Sequence, residues 1–269
     1  MRHTLRLLLL AAAALLLAQC GGISAQRQVR ASRTVVLDIG HYYAPGRGGQ
    51  GARTPDARYG ATIEECEFWY RYARYVKEEI ERAGYTCRVC NRGALPTDAA
   101  LAHCARAADV HQVNTPVPTG IYRSAHHPAR MAVGMLSVDY ALRHAPAAVI
   151  FLHHNSDSDT WRISHKGAFY TNECGVELGY AMAQTMNQRL LNHSLHNGGQ
   201  PCGVIIRTDG RKGGGDWLNA CNESYVPAVI TEVAFLSNPE HARWLSHPAN
   251  AQTYARTLAQ GIIHYLNHR

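Results

Sequence analysis

PAVITEVAFL, Pro227 to Leu236, is apolar along its whole length except at Thr231 and Glu232. A short run of this kind, rich in β-branched residues and closed by the loop-forming Ser237-Asn238-Pro239, reads as a buried strand. Two other segments share the pattern, RTVVLDI (Arg33–Ile39) and AAVIFL (Ala147–Leu152). Between and after them, strand-like and helix-like stretches alternate. EECEFWYRYARYVKEEIERAG (Glu64–Gly84) repeats Glu65, Trp69, Tyr72, Val76 and Ile80 at helical spacing and stops at Gly84. YTCRVC (Tyr85–Cys90), GAFYTN (Gly167–Asn172) and GVIIRT (Gly203–Thr208) read as further strands. Leu136–Arg143, Gly175–Ser194 and Asn250–His268 read as helices. This order predicts an α/β chain: one domain, a mostly parallel twisted sheet with helices on both faces. Only the stretch from about 105 to 130, rich in His and Pro, fits no element and reads as an insertion.

In open α/β sheets ligands gather beyond the carboxyl ends of the strands. His41 follows the first apolar strand, His153 and His154 follow the second, and Glu232 lies inside PAVITEVAFL. A carboxylate among Val229, Ile230, Val233 and Phe235 is costly unless it is paired, hydrogen-bonded or near a cation. An ion pair with Arg207 is the structural alternative to a role in acid–base chemistry. Because consecutive strand residues point to opposite faces, only one of the two adjacent histidines is expected to reach a shared site. Glu65 begins the inward face of its helix, where an acid also suits the helix dipole. Two histidines and a glutamate around an open fourth position form a catalytic zinc set.

The N-terminus reads as a targeting segment. MRHTLR is a basic head, and Leu7–Ala18 is an apolar stretch of signal-peptide length, short for a membrane span. Residues 1–25 are therefore expected to direct export to the periplasm or cell envelope, with 26–33 as a basic tether and 34–269 as the folded domain. LAQC (Leu17–Cys20) resembles a lipoprotein box although Gln19 is larger than the usual residue there, and cleavage after Ala25 is the other route. A lipid on Cys20 is the one membrane attachment foreseen. Loss of Arg2 and Arg6 lowers the formal charge from +7 to +5, which favours anionic partners such as wall polymers. No Lys/Arg run with interleaved aromatics supports nucleic-acid binding. Eight cysteines in an exported chain suggest disulfides. Cys87-x-x-Cys90 sits on a strand pattern and suits a disulfide or plain burial better than a zinc knuckle, and the pairing stays open. DGRKGGGDW (Asp209–Trp217) lacks phosphate-loop spacing and reads as a loop at the cleft rim.

Three motifs together carry a family resemblance. VVLDIGHYYAPGRGG (Val35–Gly49) resembles the opening of the zinc-dependent N-acetylmuramoyl-L-alanine amidases, a strand followed by Asp-Pro-Gly-His-Gly-Gly. FLHHNSDS (Phe151–Ser158) resembles their Ser-Ile-His-Ala-Asn motif. PAVITEVAFLSNPEHARWL (Pro227–Leu245) resembles their block Pro-Ala-Val-Leu-Val-Glu-x-Gly-Phe-Leu-Ser-Asn. The likeness runs from about Thr34 to Leu266. It implies one Zn2+ per chain held by His41, Glu65 (Glu64 being the alternative) and His153. It also implies Glu232 as the catalytic acid/base and Asn155 in a supporting position, and His154 and Arg207 are further candidates for supporting or substrate-facing positions. The implied reaction is hydrolysis of the amide between N-acetylmuramic acid and L-alanine of peptidoglycan by a monomer.

The chain departs from the family pattern at Ile39 for proline, Tyr42-Tyr43 for paired glycines, His154 for alanine and Ala234 for glycine. The stretch from 105 to 130 is longer than the family's. His103, His111, His126, His127 and His165 receive no role. A zinc hydrolase for another exported amide, or a wall-binding protein without catalysis, are the competing readings.

Overall fold

The computed structural model describes residues 32–39, 63, 65–89, 137, 140–141, 143–156, 167–190, 201–206, 221 and 225–269, the side chain of Cys66 excepted. The leader, the tether to Ala31, His41, Glu64, the 105–130 insertion, Arg207 and the 209–217 loop lie outside these residues.

Six strands form one sheet: β1 (Thr34–Ile39), β2 (Thr86–Val89), β3 (Ala148–Leu152), β4 (Ala168–Thr171), β5 (Gly203–Ile206) and β6 (Ala228–Glu232). Their order is β2-β1-β3-β6-β4-β5. Every pairing is parallel except β4 with β6, which is antiparallel. The expected mostly parallel α/β sheet is thus present, with one reversed strand that the alternation did not reveal. β3 and β6 are buried at every position, as is β1 from Val35 onward. Strands covered on both faces lose the polar alternation of a half-exposed sheet and read as continuous apolar runs.

Four α-helices with described bounds pack on the sheet, α1 (Glu65–Arg82), α2 (Val176–Leu190), α3 (Pro239–Ser246) and α4 (Pro248–His268), beside a 3-10 turn at Glu173–Gly175. On α1, Phe68, Trp69, Ala73, Val76 and Ile80 are buried, the spacing that brings side chains onto one stripe. Gly84 follows its end with φ of +85°, a conformation open to glycine at little steric cost. Helices α1, α2, α3 and α4 share one large core with alternate residues of the sheet, including Val35, Leu37, Ile150, Leu152 and Val229. α2 and α4 approach closely at Gly261, where a Cβ would lie 2.6 Å from Met182 Cα. Val36, Val149, Phe151 and Ile230 face the other side and pack with helical Tyr140 and Ala141 and with Cys221 and Val226.

β6 is shorter than the apolar run that announced it. It ends at Glu232, and Val233–Asn238 turn away into α3. Glu232 therefore stands at the strand's carboxyl end, level with the ends of β1 and β3, rather than inside the strand. α3 itself went unforeseen although Asn238 caps it, accepting the Glu240 N–H at 2.9 Å, and Pro239 occupies its first turn. No disulfide joins the described cysteines Cys87, Cys174, Cys202 and Cys221. Burial pushes the Cys202 and Cys221 thiols up to about 12, which makes them packing groups rather than nucleophiles. Among the described residues no helix is long and apolar enough to cross a membrane.

Candidate active site

Parallel strands β1, β3 and β6 all end on one edge, so the backbone delivers their terminal residues to one place. The β3–β6 register pairs Leu152 with Thr231, and His153 and Glu232 are the next residues on these adjacent strands. Thr231 fixes the backbone of His153 from across the sheet: its Oγ1 accepts the His153 N–H at 3.0 Å and donates to the His153 carbonyl at 3.1 Å. Glu65 enters from the first turn of α1. Its Oε1 lies 3.0 Å from Nδ1 of His153 and accepts the His154 N–H at 2.8 Å. Glu65 and His153 are 1% and 4% exposed, so the pair is held out of water.

Glu232 is 5% exposed, and its Oε2 has no hydrogen-bond partner among the described residues. Burial, and then the charge of Glu65, hold its carboxyl well above the usual carboxylate range. Two neighbouring buried carboxylates, one with an orphaned oxygen, require either a shared proton or a cation. With the imidazole of His153 beside them, the donor set is one that a divalent zinc accepts. Their donor chemistry suits such an ion once a further ligand completes the set. Among the described residues alone, no group of three or more His, Cys, Asp or Glu side chains is arranged to hold a metal. The remaining candidate, His41, lies outside them, as does Arg207.

His154 points the other way. It is 3% exposed, stacked on Trp69 at 5.0 Å and 18°, edge-on to Phe68 at 4.6 Å, and tilted against Tyr254 at 5.6 Å. Burial lowers its pKa to about 3, outweighing the attraction of Glu65, so this imidazole is neutral. It fills a box between α1, α4 and the sheet and does not face solvent. Asn155 continues the strand edge. Its N–H donates to Ala234 O at 2.8 Å and its carbonyl accepts the Leu236 N–H at 3.1 Å, tying the turn after β3 to the turn after β6.

Three residues near the site were not singled out from the sequence. Tyr254 of α4 is buried, and its hydroxyl is raised well above its ordinary value by burial first, then by the nearby Cys202 and Glu232. Asp38, at the end of β1, is 1% exposed and accepts from Ser137 Oγ at 2.5 Å. A lone acid inside VVLDI was the signal available for it. His241 of α3 is 0% exposed, and its Nδ1 accepts the Phe235 N–H at 3.0 Å. Its signal was its place within the most family-like block.

The fold is thus an α/β sheet that carries buried acids and a histidine at its carboxyl edge. The profile of the N-acetylmuramoyl-L-alanine amidase family matches residues 132–264, a span that includes His153 and Glu232 and begins after His41 and Glu65. Solved amidases share the fold. The CwlD amidase of Clostridioides difficile, solved in complex with the GerS lipoprotein, superposes with a TM-score of 0.60 at 12% identity, covering 88% of this chain and 99% of its own. AmiC2 of Nostoc punctiforme gives 0.53 at 16% identity, covering 87% and 97%. The catalytic domain of CwlV from Bacillus (Paenibacillus) polymyxa gives 0.53 at 17%, covering 88% and 99%. A search of curated proteins gives no match. Its C-terminal half, residues 132–264, thus matches the N-acetylmuramoyl-L-alanine amidase family, and the chain shares the fold of solved amidases.

Proposed function

We infer that this protein is a peptidoglycan amidase that hydrolyses the amide joining N-acetylmuramic acid to the L-alanine of the stem peptide. The observation that carries the reading is the convergence of Glu65, His153 and Glu232 at the carboxyl edge of the sheet in a chain whose C-terminal half matches this family. Zinc belongs to the same reading: Glu65 and His153 would hold it, with His41 as the third ligand that the sequence motif supplies. When bound, zinc supplies Lewis acidity toward the amide carbonyl and toward water.

The protein's own part is proton transfer and orientation. Glu232 takes a proton from the attacking water as the new C–O bond forms, then returns it to the alanine nitrogen as the C–N bond breaks. That requires reach of about 3 Å or one intervening water. Burial and the charge of Glu65 raise the proton affinity of the Glu232 carboxyl, which makes its carboxylate a stronger base. Thr231, by clamping both backbone polar groups of His153, keeps the imidazole aimed at Glu65. Export by the N-terminal leader, with or without a lipid on Cys20, is part of the proposal because it brings the enzyme to its substrate.

Chromatography of digested sacculi tests the reading. Wild type should release free stem peptides that begin with L-alanine, and Glu232→Ala should release none while still binding one zinc per chain. Absence of such peptides from the zinc-loaded wild-type digest would sink it.

A further inference from the structure

Glu232 is the last residue of β6, and beyond it the chain keeps one bridge to Asn155 before it turns into α3. What fixes that departing segment decides where the carboxylate sits. Two strands of contact hold it. On one side Asn155 pairs with Ala234 and Leu236. On the other, Phe235 directs its N–H away from this ladder, into the protein, onto Nδ1 of His241 at 3.0 Å. His241 is held in turn by α3, whose N-terminus is tied to the same turn. The Asn238 N–H donates to the Phe235 carbonyl at 3.0 Å, and the Ala242 N–H donates to Asn238 O at 2.9 Å. The turn, its cap and the first coil of the helix thus close on one another through these backbone bonds and the His241 imidazole.

We propose that His241 is a positioning residue for Glu232, acting by accepting the Phe235 N–H and thereby locking the turn between β6 and α3. An imidazole that accepts at Nδ1 carries its hydrogen on Nε2, so only one tautomer serves. The Phe235 amide sits in a turn whose flanking side chains are buried, and a buried donor without an acceptor is costly. Without His241 the turn must shift to find another acceptor. Because Asn155 is bonded to both Ala234 and Leu236, the shift passes to the end of β3 as well, where His153 stands. A leucine of similar bulk would fill the space but supply no acceptor.

This inference rests on the amidase reading only for its kinetic outcome. The test uses the full folded chain, zinc-loaded and nitrogen-labelled. In wild type, the His241 ring should show the Nε2–H tautomer, and an Nδ1–H tautomer would overturn the proposal without any variant. Asparagine places its Oδ1 where Nδ1 stood, whereas glutamine reproduces only the Nε2 position. His241→Asn should therefore keep the Phe235 amide protected from exchange and hold kcat within about twofold, since the acceptor is retained. His241→Gln and His241→Leu should exchange the Phe235 amide about tenfold faster. They should also lose kcat by ten- to a hundredfold, on the order expected for a small misplacement. KM and zinc content should stay unchanged. A glutamine variant with wild-type exchange and kcat, or an asparagine variant as impaired as leucine, would refute the role. A wild type that releases no stem peptide defeats the amidase reading instead. The exchange rates of Phe235, Leu236 and Asn155 in His241→Gln then judge the brace by themselves.

Discussion

His153 and His154 are neighbours in sequence and belong to two different regions of the molecule. His153 stands on the polar edge, 3.0 Å from Glu65 Oε1 and clamped by Thr231. His154 lies in an aromatic box of Phe68, Trp69 and Tyr254, with its pKa lowered to about 3. The pleat of β3 sends consecutive side chains to opposite faces, so one step along the chain separates chemistry from packing. Glu65 joins the two regions, since the oxygen that meets the His153 ring also accepts the His154 N–H. The aromatic box thus serves the polar edge: it anchors the first turn of α1 and with it the carboxylate that α1 carries.

Breaking the polar side should have the largest effect. Glu232→Gln keeps the shape and removes the proton acceptor, and activity on sacculi should fall by about 10²- to 10⁴-fold. The same change should stabilise the metal-free protein. The folded Glu232 carboxyl binds its proton more tightly than the unfolded one, so wild type loses stability as pH rises above the ordinary glutamate value of about 4.3. Melting of the metal-free variant should therefore exceed that of wild type at pH 7 by more than at pH 4. Each kcal/mol gained raises Tm by about 2–4 °C. Equal shifts at both pH values would contradict the buried-acid account.

Breaking the aromatic side should show first in stability. Trp69→Ala removes a fully buried indole and should cost about 3–5 kcal/mol by denaturant titration. It should also bring water to His154 and return its titration toward ordinary values, measurable by NMR. If the loss fell below about 1 kcal/mol, less than core truncations usually cost, the box would not be anchoring α1.

A subtler change sharpens the contrast. Between pH 6.5 and about 3 the unfolded chain protonates His154 while the folded chain does not. Wild type should then lose up to about 1.4 kcal/mol per pH unit from this one group as pH falls. His154→Phe keeps the stacking and removes the titration, so its acid limb should be flatter over that interval. Parallel acid limbs for the two proteins would show that His154 is not buried neutral.

Much of this was legible in the sequence because it was local. Apolar runs marked β1, β3 and β6, helical spacing marked α1 and α4, and a lone acid in an apolar block marked Glu232. The same local logic overran β6, because Val233–Leu236 are as apolar as a strand yet turn toward α3, where Asn155 and His241 take up their hydrogen bonds. It also missed the reversal of β4, since strand direction depends on how the connections run rather than on the strand's own residues.

The residues alone therefore determined which segments extend, which coil, and which three strand ends carry histidine or glutamate, because backbone preference and hydrophobic period act over a few neighbours. The tertiary structure decided what each polar group meets. Glu65 and His153 are 88 residues apart and Thr231 and His153 are 78 apart, and no local pattern encodes those distances. Only the packed sheet put one histidine against a carboxylate and its neighbour against an indole, and desolvation then gave the two rings different chemistry.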